Sequence, residues 1–182
     1  MDPAIIKLFD RMKSFLDFSH ADVERLVALQ PIIEKHGPGI TNRFYERLSK
    51  FSETAKFIEG RVDELRVAHV AWLRSLVGGV YDENYLASRW KIGVTHVRIG
   101  LDPYWVEGVM SFIRTAVLAA VTAEMRGDPT NAGRHAASFL KACDLDIFII
   151  NLSYAEDRLD RLASFTGVKR SLIETIIRIP KK

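Results

Sequence analysis

Glycine and proline punctuate this chain at intervals, and between them apolar residues return every three or four positions rather than every second one. Six prolines and eleven glycines fall mainly between such stretches, and no two alternating runs are joined by a hairpin turn. A chain patterned this way can build helices and little else, so the fold class expected is all-α. Residues 2–16 read as a short amphipathic helix with Ile5, Ile6, Phe9 and Met12 on one side. Ser19, with Asp22 three positions on, forms a shortened capping box for a second helix. Val23, Leu26, Val27, Leu29 and Ile32 give that helix its apolar face, and Gly37-Pro38-Gly39 is expected to stop it. Further helices are expected over 40–50, 52–58, 62–76, 83–100, 103–126 and 131–165, with a short amphipathic piece over 168–179 before Pro180-Lys181-Lys182. Asp102-Pro103 supplies an acidic cap and a first-turn proline. Helices of such unequal length on short turns favour a globin-like packing over a symmetric four-helix bundle.

At 182 residues the chain suits one domain with a full core. No internal repeat or low-complexity linker divides it. Residues 1–165 are expected to form that domain, and 166–182 a C-terminal extension or the start of a linker. The 26 Lys and Arg are scattered among 23 acidic residues for a net charge of +3, which gives nucleic acid no basic block to bind. The single cysteine, Cys143, rules out an internal disulfide and any cysteine-clustered zinc or iron–sulfur site. A reduced, cytoplasmic setting follows as the expectation. The first residues lack a basic region followed by an apolar run and a cleavage site. No stretch approaches the ~18 uninterrupted apolar residues of a membrane span.

Five histidines are the residues with chemistry to offer. His20 sits in a first helical turn and His36 beside the Gly-Pro stop, and both read as surface residues; His135, near Ala132 and Ala136, reads as surface or interface. His96 differs. It lies among Ile92, Val94, Val97 and Ile99, with Gly93 three residues before it and Gly100 four after. Positions three and four apart share a helix face, so both glycines strip bulk from around the imidazole. Each lowers helix stability by about 1 kcal/mol in a helix interior. A histidine on an apolar face is ordinarily a satisfied core residue; a large flat ligand bound through it, haem above all, would give the glycines a reason. His69 stands on the preceding long helix with Leu65, Trp72, Leu73 and Leu76 around it. Two antiparallel helices flanking a cavity could aim both imidazoles at one iron. Tyr45 is a third candidate, able to donate a hydrogen bond to an iron-bound ligand. On spacing alone a core tyrosine is the plainer reading.

Together these residues resemble the sensor globins, the haem domains of globin-coupled sensors, related to protoglobins. The resemblance spans nearly the whole chain. It runs from Phe44-Tyr45-Glu46-Arg47-Leu48 through Gly79-Val80-Tyr81-Asp82-Glu83-Asn84-Tyr85 to Ile92-Gly93-Val94-Thr95-His96-Val97-Arg98-Ile99-Gly100-Leu101 with Pro103 and Trp105, and the last segment is the specific one. It implies a globin-like fold with an extra N-terminal helix before Ser19. Two long C-terminal helices would form a four-helix bundle across a homodimer. It implies haem b as cofactor, with His96 as proximal iron ligand and Tyr45 as the distal tyrosine that meets bound oxygen. The pocket lining expected is Phe44, Trp72, Leu73, Leu76, Gly93, Val97, Ile99 and Trp105. Phe112, Ile113, Val117 and Leu118, with Phe139, Leu140, Ile147, Phe148 and Ile149, are compatible with a dimer face beyond the core.

Two residues depart from the family pattern. His69 stands where many members have a non-ligating side chain, which opens the alternatives of a bis-histidine iron or a pocket histidine that only donates a hydrogen bond. Val106 stands where an aromatic often follows the tryptophan. The function implied is a non-enzymatic sensor domain for oxygen, carbon monoxide, nitric oxide or redox state. The family's C-terminal effector domains have no counterpart in this chain. The alternatives are a haem globin enzyme, with nitric oxide dioxygenase or peroxidase-like chemistry, and a haem-free interaction module.

Overall fold

The computed structural model describes residues 1–180. Among them it contains helices and no strands. Helix α1 (Pro3–Phe15) starts where the Asp2 carboxylate accepts the Ala4 N–H at 2.8 Å, with Pro3 in the first turn. Helix α2 (His20–Ala28) carries the expected capping box: Ser19 N–H donates to the Asp22 carboxylate at 2.9 Å, and the Ser19 hydroxyl accepts from the Asp22 amide.

Helix α3 (Gln30–Leu48) corrects the reading of Gly37-Pro38-Gly39 as a stop. The chain bends instead at Leu29, where Pro31 opens α3, and Pro38 is carried inside a continuous helix. A mid-helix proline forfeits one backbone bond, but Ile33 on one side of it and Ile40 on the other are both buried in the core. Tertiary packing thus keeps the two halves on one axis.

Helices α4 (Ser52–Ile58), α5 (Val62–Leu76), α6 (Glu83–Ile99) and α7 (Pro103–Glu124) fall where the periodicity places them. Asp102 does occupy the N-cap of α7, but its side chain makes no capping bond there. The 38-residue α8 (Pro129–Thr166) is the spine, about 57 Å long at 1.5 Å per residue. It packs against α6 and α7 most extensively, then against α2. After Gly167, α9 (Arg170–Ile177) turns back onto α8, held by Arg170, which pairs with Glu156, Asp160 and Glu174. Lys181 and Lys182, the last residues of the expected extension, lie outside the described residues.

Leu26, Leu73, Leu76, Leu86, Ile113, Phe139, Leu145 and Ile149 fill the centre. Helix α7 is the one helix among the described residues long and apolar enough to cross a membrane by length and composition. Its Ile113, Val117 and Val121 are fully enclosed by the core, and it packs on α3 and α8. Of the residues read as a dimer face, Ile113, Val117, Phe139 and Ile149 are therefore used up inside the single chain. Leu118, Leu140, Ile147 and Phe148 stay partly open.

Candidate functional site

The two histidines of interest sit on α5 and α6, helices that make at most marginal contact with each other. Helix α5 is packed on α3, and α6 on α8. His69 is half-enclosed by a polar and aromatic cradle. Its Nδ1 lies 2.8 Å from the Thr41 hydroxyl of α3. The Phe44 ring stacks on it at 4.7 Å between centroids and 29° between planes, Trp72 stands at 5.1 Å, and Tyr45 meets it edge-on at 6.0 Å. Leu48, Ile58, Val62, Leu65, Val109 and Phe112 close the apolar cluster around Phe44 and Tyr45.

His69 Nε2 is buried with no hydrogen-bond partner. An orphaned polar atom in a buried position costs stability unless something binds there. With Nδ1 engaged by Thr41, Nε2 is the nitrogen left to reach a ligand.

His96 is held differently. Val97, Leu101, Val106, Ile150 and Tyr154 form an apolar cluster around its stretch of helix, and the Tyr154 ring lies 6.1 Å from the imidazole. Tyr154 is itself fixed, its hydroxyl donating to the Leu101 carbonyl at 3.0 Å. His96 Nδ1 is buried without a partner. Burial pushes the pKa of both His69 and His96 down to about 4, so both rings are neutral at neutral pH. Neutral imidazole is the form that offers a lone pair to a metal.

The glycines beside His96 have tasks other than clearing room for a ligand, and the sequence reading of them is corrected. A Cβ on Gly93 would stand 1.8 Å from Ser153 Oγ and 2.6 Å from the Ile150 carbonyl oxygen. Gly93 is where α6 and α8 touch backbone to backbone, and it belongs to that seam rather than to a cofactor face. Gly100 ends α6 in the left-handed conformation, φ 75°, with Leu101 N–H donating to the His96 carbonyl at 3.0 Å.

Tyr45 reaches the His69 side, and its hydroxyl donates to the Leu65 carbonyl at 3.0 Å rather than toward the imidazole. Burial raises its pKa to about 12, so the phenol keeps its proton. Leu73 and Leu76, expected as lining, lie in the central core, fully buried. Ile99 faces outward at 43% exposure. Trp105 lies tilted between Phe51 and Tyr104, at 5.7 and 5.2 Å between ring centroids. Trp72 contacts His69, but its indole N–H is engaged elsewhere, donating to Asp146 at 2.7 Å.

Thr41, Phe112 and Tyr154 are site residues that the sequence reading missed. Thr41 precedes Tyr45 by one helical turn, and that spacing was the available signal for it. Of the other histidines, His20 is exposed and His36 bonds Glu124 at 2.7 Å. His135 is buried, its Nδ1 2.8 Å from the Asn131 carbonyl, so the surface reading of it is corrected.

Among the described residues no group of three or more His, Cys, Asp and Glu side chains is assembled to hold a bare metal ion. One or two imidazoles suffice only for a metal that brings its other donors with it. Two helices held apart, apolar clusters beside both imidazoles and an unpartnered ring nitrogen on each fit a flat apolar metal macrocycle. The residues present therefore fit haem.

An all-helical fold carrying two buried-edge imidazoles on separate helices is compatible with a globin. The protoglobin family profile matches residues 7–160, and the chain belongs to that family. It is 28% identical over 119 residues to the haem-based aerotactic transducer HemAT of Halobacterium salinarum, a match covering 62% of this chain and 24% of that protein. The chain thus spans about a quarter of the length of this curated relative. The globin domain of the Geobacter sulfurreducens globin-coupled sensor superposes with a TM-score of 0.76 at 29% identity, over 80% of this chain and 96% of that one. The ferrous globin domain of E. coli DosC shares the fold, with a TM-score of 0.66 at 14% identity over 77% and 97% of the two chains.

Proposed function

We propose that this chain is a haem-binding sensor globin domain in which His96 holds the iron from α6 and His69 holds it from α5. The observation that carries the reading is the buried, unpartnered Nε2 of His69, on a ring whose other nitrogen is fastened by Thr41. Ligating histidines are typically fixed by a hydrogen bond at the second ring nitrogen. The relatives named as a haem-based transducer and a globin-coupled sensor support the haem-sensor part of this reading. Bound haem b supplies an iron that takes a diatomic gas or an electron.

The chain's own residues do the rest. Thr41 and Phe44 hold the His69 ring in one orientation, and the apolar cluster of Phe44, Tyr45, Val109 and Phe112 excludes water. Tyr45 keeps its phenolic proton and stands ready to donate it as a hydrogen bond once it turns from the Leu65 carbonyl. With haem bound, His96 and His69 would hold the iron, and oxygen, carbon monoxide or nitric oxide would compete with His69 for it. A signal requires that the gas bind the two arrangements of the chain with different affinity.

Residues 1–165 form the sensor domain in this proposal, and 166–182 begin the link to an effector. The partly open Leu118, Leu140, Ile147 and Phe148 supply the homodimer face of α7 and α8. The setting is cytoplasmic, in keeping with a single buried cysteine. The role is sensing rather than turnover, as in the relatives named as sensor and transducer. Haem titration of the purified chain tests the reading: a Soret band at one haem per chain is expected, and its absence overturns the proposal.

A further inference from the structure

The one fully buried carboxylate on α8, Asp146, is met by side chains from both histidine-bearing helices. Asp146 has no exposed surface and accepts from three side chains. The Trp72 indole N–H of α5 donates at 2.7 Å. Arg89 Nε of α6 lies 2.9 and 3.1 Å from its two oxygens. The Tyr85 hydroxyl of α6 is the third donor. Arg89 reaches back to α5 through Ser75, whose hydroxyl it meets at 2.7 Å and which in turn donates to the Trp72 carbonyl at 2.6 Å. Burial pushes the Asp146 carboxyl upward and the Arg89 guanidinium opposes it. The Trp72 indole and the Arg89 guanidinium can only donate, and both suit the carboxylate form.

We infer that Asp146 is the joint through which the distal ligand position on α5 acts on α8, with Trp72 as its arm. Trp72 is the neighbour of His69 one turn along α5, its ring 5.1 Å from the imidazole, while its N–H holds the α8 carboxylate. A buried carboxylate cannot exchange a lost donor for water. When the His69 ring shifts, Trp72 must either carry Asp146 with it or leave that charge short of a donor. Both results are felt on α8, the helix that leads to the C-terminus. Asp146 and Trp72 are in this sense positioning residues that touch no gas. The inference rests on the haem-sensor reading above.

Hydrogen exchange of the α8 peptide spanning 142–150, in ferrous haem-loaded protein with and without carbon monoxide, tests it. In the wild type, carbon monoxide is expected to change exchange in this peptide. In Asp146→Asn the change should fall at least threefold, and Trp72→Phe, read the same way, should reproduce the loss should the first variant fold poorly. A carbon monoxide response of wild-type size in both variants overturns the inference, as does a wild-type α8 that does not respond. His69→Ala keeps the two ideas apart. An absorption spectrum unchanged in that variant removes His69 as a ligand, while the exchange responses still decide whether Asp146 couples the distal pocket to α8.

Discussion

The two imidazoles are held in unlike ways. His69 is fastened by side chains of another helix: one hydrogen bond with Thr41, worth about 1 kcal/mol, and one stacked ring of Phe44, worth roughly 0.5–1.5 kcal/mol beyond its burial. His96 is fastened by its backbone. Three residues before it α6 lies directly against α8 at Gly93, and four after it the helix is closed by Gly100. Contacts of the first kind can be broken and remade at a cost of a few kcal/mol. A backbone seam cannot be broken without parting two helices. The difference supports the proposed roles, His96 as the fixed ligand and His69 as the one that comes and goes.

Four substitutions around the two imidazoles and one distant control test this difference. His96→Ala should have the largest effect, abolishing the Soret band on haem titration. A variant that still takes up one haem per chain would place the fixed ligand elsewhere.

Gly93→Ala comes next. The added Cβ meets the Ile150 carbonyl at 2.6 Å, so the helices must separate, at roughly 3 kcal/mol and roughly 5–10 °C in Tm. Gly100→Ala, strained in φ but with open space around it, should cost about 1 kcal/mol. Thermal melts of the two variants give the order, and the reverse order would show that the seam is not what holds α6.

Thr41→Val loosens His69 without touching α6, and the ratio of histidine-bound to histidine-free iron should fall roughly tenfold, read as growth of high-spin absorption. An unaltered ratio would mean that Thr41 does not orient the ring.

Asp22→Asn is a control far from both histidines, expected to leave the haem spectrum unchanged. Burial disfavours the Asp22 carboxylate, but the Ser19 amide, Ser138, Lys141 and the Ser19 hydroxyl outweigh it and hold its pKa below the usual range. Stability from a depressed carboxylate is fully present above its unfolded pKa of about 3.9 and is lost as pH falls through that value toward the folded one. The variant should lose roughly 1–2 kcal/mol at pH 7, and the gap should hold down to about pH 4 and narrow below it. Urea melts from pH 7 to pH 2 measure this, and a gap that widens in acid would reverse the sign.

The helices were legible in the sequence because their apolar spacing and caps are local, as with Ser19 and Asp22. Gly37-Pro38-Gly39 was misread because what keeps α3 continuous is Ile33 and Ile40 packing on the rest of the core, which no window of a few residues contains. The histidines were found by their surroundings along the chain, and the reason first given for Gly93 failed because its neighbour Ser153 lies sixty residues away in sequence. Thr41 beside His69 and Tyr154 beside His96 are likewise contacts between helices. Leu73 and Leu76 were placed by face alone, and helix rotation put them in the core instead.

Whether a fixed and a mobile imidazole share one iron is read from the ferric absorption spectrum of haem-loaded wild type beside His69→Ala. A low-spin six-coordinate wild type and a high-spin variant that retains its Soret band are expected. Identical spectra from the two proteins would rule out the shared iron.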